Sequence, residues 1–151
     1  MTTTHLLYLH GFRSSPQSAK ARLMADCVAR QHPQVQWWCP QLPPSPQEAM
    51  EQVSAGIADW PRTAMAVVGS SLGGYYATWV AQQTGCASVL LNPATHPAQS
   101  LERHIGEQTA WHDPAERFFF EPRFTDQLRA LDVSALPAPN RQLAVIAKGD
   151  E

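Results

Sequence analysis

The segment Gly69-Ser70-Ser71-Leu72-Gly73-Gly74, set directly after the apolar run Met65-Ala66-Val67-Val68, constrains this chain more than any other stretch. A serine framed by glycines between a strand-like run and a helix-like one predicts a sharp strand-to-helix reversal, a nucleophile elbow. Side chains at the framing positions would collide with neighbouring backbone, so glycine there is a steric requirement. Ser71, not Ser70, is the serine in register. Residues 72–83 follow with apolar side chains at helical spacing, which supplies the helix that the turn requires. An ordinary glycine-rich turn is the competing reading, and the flanking strand and helix signals weigh against it.

Around this turn, short β-rich runs alternate with helical windows, the signature of βαβ units and a mainly parallel sheet covered on both faces. Strands are expected at residues 5–9, 35–39, 65–69, 88–91 and 142–147, each rich in Val, Leu, Ile or aromatics and ending in turn chemistry. Helices are expected at 16–31, after a Ser14-Ser15 cap with proline in the first turn, and at 46–60, where Ser45 precedes Pro46. The second strand should flank the first on one side and the serine-bearing third strand on the other, giving the order 2-1-3-4-5. The proline-rich stretch 40–46 reads as a stiff crossover loop, with a polyproline ligand as the alternative. Residues 92–141 are longer than a crossover needs and carry Trp111, Phe118-Phe119-Phe120 and a helical window at 124–131. A cap-like insertion over about residues 95–140 of a single domain is expected. Its aromatics either bind the apolar part of a substrate or anchor the insertion to the core.

With 151 residues, 44% of them hydrophobic, the chain can bury a sizeable core, and 16% charged residues with net charge −2 give no bias toward a polyanion. Basic residues are scattered rather than striped, so a nucleic-acid partner is not expected. The run Leu6-Leu7-Tyr8-Leu9 is far too short for a signal or membrane segment, and a cytoplasmic protein is expected. Cys27, Cys39 and Cys86 are odd in number and widely spaced, which predicts reduced thiols and neither a metal nor a redox motif. A catalytic Cys39 has no histidine partner implied by local sequence. The glycine-rich turn matches neither G-x-G-x-x-G nor G-x-x-x-x-G-K-[ST], so a nucleotide cofactor is not expected.

A serine hydroxyl is a poor nucleophile, so an elbow serine requires a base, an acid to orient that base, and donors for an oxyanion. His10-Gly11-Phe12 follows the first strand, which makes the Phe12 backbone N–H the first donor; the Leu72 N–H, next to the nucleophile at a helix N-terminus, is the second. His10 itself is read as shaping this loop. Asp150 follows the last strand and occupies the place of the acid in a Ser…Asp…His order, with Glu151 as the alternative. A surface turn is the bland reading of the same Gly149-Asp150 pair. All six histidines precede Asp150; His96, in the loop after the fourth strand, is the best internal substitute for the base, although a loop or cap role competes with it. The simpler expectation is a chain cut just after the acid, its histidine lying on a further strand-loop-helix unit.

The stretches Leu7-Tyr8-Leu9-His10-Gly11-Phe12, Ser14-Ser15-Pro16, Pro40-Gln41-Leu42-Pro43-Pro44, the run from Val68 to Trp79, Asn92-Pro93-Ala94 and Gly149-Asp150-Glu151 together resemble the YqiA-type esterases, small bacterial α/β-hydrolases. The resemblance spans essentially the whole chain. It implies an α/β-hydrolase fold and hydrolysis of carboxylic esters or acyl thioesters, small-molecule substrates, with Ser71 as nucleophile and Asp150 as acid. It also implies a downstream histidine in an Asn/Asp-His-Ala context that these residues lack. A non-catalytic ligand-binding or scaffold domain on the same fold is the alternative. If the last strand is an unprotected edge, two copies should pair through it.

Overall fold

The computed structural model describes residues 2–131, 133 and 141–148. Five parallel strands form its main sheet: β1 (His5–Leu9), β2 (Gln36–Trp38), β3 (Met65–Ser70), β4 (Ala87–Leu91) and, late in the chain, β7 (Gln142–Val145). Their order is β2-β1-β3-β4-β7, the expected 2-1-3-4-5 with β7 as the fifth member. Leu9 lies opposite Gly69, Ser70 opposite Leu91, and Leu91 opposite Val145. That register delivers the ends of β1, β3, β4 and β7 to one rim of the sheet.

Period-2 alternation in β1 sends Leu7 and Leu9 to one face and Leu6 and Tyr8 to the other. On the first face they join α2 (Pro46–Gly56) through Met50 and Val53, α3 (Leu72–Thr84) through Tyr76 and Val80, and the insertion through Phe120, Phe124 and Leu128. On the second, Tyr8 and Val68 pack with Ala21 of α1 (Ala19–Gln31). Each such side chain taken from water contributes about 1.5–3 kcal/mol, so these two layers fix the relative position of β1 and β3.

Helix starts follow capping chemistry. Ser45 caps α2 as expected, accepting the Glu48 N–H at 3.2 Å. The cap of α1 is Ser18, not Ser15: Ser18 Oγ accepts the Ala21 N–H at 3.2 Å, while buried Ser15 accepts from Gln17 and builds a preceding turn. The expected start at residue 16 is therefore corrected by three positions, because serines stand at both sites and it is Ser18 that has the extended backbone and the side-chain bond of a cap. At the far end α2 stops at Gly56, short of residue 60. Gly56 packs against the six-membered ring of Trp38, where an added Cβ would sit 2.0 Å from Cη2.

The insertion holds two strands that were not expected, β5 (Gly106–Thr109) and β6 (Arg117–Phe120), paired antiparallel, together with α4 (Pro97–Leu101), a 3-10 turn (Glu102–His104) and α5 (Pro122–Ala130). The proline-rich stretch is the crossover from β2 to α2, with Leu42 buried. Cys27, Cys39 and Cys86 are free thiols. Among the described residues no helix is long and apolar enough to cross a membrane.

Candidate active site

Ser71 stands between β3 and α3 at φ 55°, ψ −118°, a region that costs a non-glycine residue about 1–3 kcal/mol. Its surroundings fix it there. The Ser71 N–H donates to Leu91 O at 3.0 Å, and its carbonyl accepts from the N–H groups of Gly74 and Ala94 at 2.9 Å each. A Cβ at Gly69 would lie 2.0 Å from Gly73 O, and one at Gly73 would lie 1.9 Å from Leu9 O, so both glycines are required by close backbone approach. Ser71 is exposed, whereas Ser70 is buried beside the Tyr8 hydroxyl.

The loop after β1 forms the facing wall. Gly11 approaches the Ser71 side chain, its Cβ position lying 3.4 Å from Ser71 Cβ and 3.8 Å from Oγ. Phe12 holds its ring among Phe118, Phe120 and His104, with centroids 5.9, 5.1 and 5.5 Å away. Ser71, Gly11 and Phe12 line one cavity of about 360 Å³, together with Lys20 and Trp111. Leu72 and Phe12 line a second of about 350 Å³, whose wall also includes Leu42, Tyr76 and Phe118. His10, Gly11, Phe12 and Ser14 are common to both, so this one loop borders the two cavities. Leu72 opens α3, where first-turn N–H groups have no acceptors within the helix.

His10 is only 4% exposed, and both ring nitrogens are in use. Nδ1 donates to Gly11 O at 2.9 Å and Nε2 accepts the Leu42 N–H at 2.9 Å, an arrangement open only to the neutral ring. Burial is the main reason its pKa falls below the usual histidine value, with the Gly11 bond opposing and His112 assisting. His10 thus ties the loop after β1 to the loop after β2. His96, the internal substitute for a base, is exposed, faces the Thr95 hydroxyl at 3.2 Å and lines neither cavity. Asp150 and Glu151 lie outside the described residues. The Cys39 thiol is pushed up to about 11 by burial, which removes it as a nucleophile. Among the described residues no three of His, Cys, Asp or Glu converge as metal ligands.

Three residues of this site carry no motif. Arg13, at φ 62°, donates from Nε to Thr109 O at 2.6 Å and lays its guanidinium 3.8 Å over the Trp111 ring, clamping the insertion onto the loop. Trp111 is 68% exposed and faces the Ser71 cavity, while Phe120 is buried in the core. Cavity-facing and core-anchoring aromatics thus coexist in the insertion. Tyr76 lines the second cavity, four residues after Leu72; that helical spacing was the available signal.

A family model described as an uncharacterised protein family, UPF0227, matches residues 5–151. A candidate hydrolase from Agrobacterium vitis S4 has a similar structure, with TM-score 0.69 and 17% identity over 98% of this chain and 82% of that one. Alpha/beta hydrolase domain-containing protein 10 from mouse gives 0.69 and 14%, covering 96% of this chain and 69% of its own. Est1E from Butyrivibrio proteoclasticus gives 0.65 and 12%, with 96% and 78% covered. At these identities the likeness is one of fold, and the fold is that of the α/β-hydrolases.

Proposed function

This chain belongs to the UPF0227 family, the YqiA-type family that its motifs resemble, and from that premise we propose that it is a serine hydrolase of carboxylic esters or acyl thioesters. Ser71 Oγ attacks the acyl carbonyl carbon, and the resulting oxyanion is held by the Phe12 and Leu72 N–H groups. The base is a histidine carried outside these 151 residues and oriented by Asp150. It takes the Ser71 proton and passes it to the departing alkoxide or thiolate. Water, deprotonated by the same base, then cleaves the acyl-serine ester and releases the carboxylic acid. The insertion over about residues 95–140 acts as a cap whose Trp111 borders the Ser71 cavity, in a cytoplasmic protein whose copies pair through the apolar β7 edge.

The single observation that carries this reading is the exposed Ser71 held at positive φ, facing the loop of Phe12 across one cavity. A fluorophosphonate probe tests it: the full-length protein should label at Ser71, and Ser71→Ala should not label. Absence of labelling in the wild type would favour the ligand-binding alternative, for which His10 speaks, since it is the one histidine lining the Ser71 cavity among the described residues and is held neutral.

A further inference from the structure

The wall of the second cavity includes a residue whose polar group the described residues leave unmet. Leu72 and Tyr76 lie one turn apart on the same face of α3, and both line it. Tyr76 is 2% exposed, and among the described residues its hydroxyl makes no hydrogen bond. The adjacent Tyr75 shows the usual solution, donating to Leu128 O at 3.0 Å and Leu131 O at 2.7 Å. Gln82 Oε1 is the side-chain atom that is both sealed and unpartnered among the described residues; the Tyr76 hydroxyl, unpartnered but not sealed, belongs to a residue on the wall of this cavity. Buried hydroxyls without partners are rare because desolvation goes uncompensated; one that opens on a cavity beside an active-site loop marks a ligand contact.

Most other polar groups of this cavity are occupied, and Gln52, also on its wall, is exposed to solvent. The Gln41 amide N–H groups face His10 Nε2 at 3.3 Å and Ser14 O at 3.2 Å, and His112 pairs with Glu116 at 2.9 Å. Arg13 is engaged by Thr109 and Trp111. Leu42, Pro43, Leu72 and Phe118 make the remaining wall apolar. Burial pushes the Tyr76 pKa up, so the phenol remains a donor at any physiological pH.

We infer that Tyr76 determines specificity by donating a hydrogen bond to a neutral acceptor, such as a ketone oxygen, on the acyl group of the substrate. The inference rests on the hydrolase reading for the position of that acyl group, whose carbonyl lies at the Leu72 N–H. Four residues of helix rise about 6 Å, and long helical side chains lean toward the N-terminus, so the acceptor stands about three to five bonds from the carbonyl carbon. Glu116 at the wall makes a carboxylate in this place unfavourable.

Matched amides isolate the contact from catalysis. In an NMR titration of the full-length protein, 4-oxopentanamide should bind about ten-fold more tightly than pentanamide, the worth of one neutral hydrogen bond. In Tyr76→Phe the two should come within about two-fold of each other, with pentanamide affinity and melting temperature retained. Equal binding by the wild type, or discrimination surviving in Tyr76→Phe, would overturn the inference. So would equal weakening of both amides with a lower melting temperature, which marks a structural role. The 4-nitrophenyl esters of the same two acids extend the test, since their kcat/KM ratio should collapse by the same factor in the variant. Hydrolysis of neither ester, with amide discrimination intact, would overturn the hydrolase reading and leave the Tyr76 contact standing.

Discussion

Gly73→Ala probes the packing on which the whole site depends. Its Cβ would lie 1.9 Å from Leu9 O, 2.6 Å from Leu9 C and 2.7 Å from His10 O, all backbone atoms of β1 and its loop. Ordinary contact begins near 3.4 Å, so α3 or the end of β1 must retreat by about 1.5 Å. Leu9 pairs with Gly69 at that point, and the retreat weakens one or two ladder bonds at about 1 kcal/mol each, besides about 1–3 kcal/mol of packing strain. Alanine returns about 1 kcal/mol of helix propensity. The net loss is about 3 kcal/mol, or roughly 6–12 °C in melting temperature for a domain of this size. Widening the gap between the Phe12 loop and Ser71 by about 1 Å should also lower kcat/KM about a hundred-fold. Gly85→Ala is the contrast, because Gly85 ends α3 at φ 73° with nothing among the described residues within 4 Å of an added Cβ. It should cost about 1–2 kcal/mol from backbone strain alone and leave kcat unchanged. Thermal melts and ester kinetics on both variants decide the matter. A Gly73→Ala protein that melts within about 1 °C of wild type would refute the close approach of α3 to the β1 loop.

His10 has a folded pKa below the 6.5 of the free side chain, so the stability it contributes is full above that value and is lost as pH falls from it toward the folded pKa. Melting temperature should therefore drop between pH 7 and pH 5, and His10→Asn should flatten that drop while costing about 1–3 kcal/mol at pH 7 through the orphaned Leu42 N–H; an unchanged pH slope in the variant would contradict the neutral-ring assignment. Cys39, with its thiol pushed up to about 11, should alkylate with iodoacetamide at pH 8 about two orders of magnitude more slowly than a free peptide thiol. Peptide mapping by mass spectrometry reads this directly, and prompt labelling at Cys39 would show that the thiol is not desolvated.

How legible the molecule is from sequence depends on how local the cause is. The central strands β1, β3 and β4 come from apolar runs that are largely buried, β7 is an apolar run whose Leu143 and Val145 are exposed at the sheet edge, and the α2 start comes from Ser45, whose oxygen acts three residues away. The elbow is legible because its glycines answer clashes that any protein with this turn would suffer. The start of α1 was misplaced because Ser15 and Ser18 are chemically equivalent caps, and tertiary burial of Ser15 chooses between them. β5 escaped because Gly-Glu-Gln-Thr has no strand propensity of its own; it is recruited by β6 and pinned by Arg13 across 96 positions of chain. Tyr76 reads as core by spacing and does pack in the core, and what sets it apart is a hydroxyl without a partner among the described residues, on a residue that also lines a cavity.

The strain at Ser71 is set by segments distant in sequence. Leu91 O receives its N–H and Ala94 donates to its carbonyl, so β4 and the Asn92-Pro93-Ala94 loop hold the residue in place from the side opposite Phe12. That loop is itself constrained. Asn92 sits at φ 44°, its N–H donates to Val145 O at 2.9 Å, its Oδ1 accepts the Ala147 N–H at 2.8 Å, and Pro93 fills the space beside Gly74. A residue in a costly conformation persists only where its surroundings over-determine it, and here the surroundings run from β3 through β4 to β7. The consequence is directional. The loop that braces the elbow also receives the end of β7, from which the chain runs on toward Asp150, so a single set of hydrogen bonds couples the position of Ser71 to the strand that leads to the proposed acid. The geometry of the proposed nucleophile is therefore set at three adjacent strand ends, those of β3, β4 and β7.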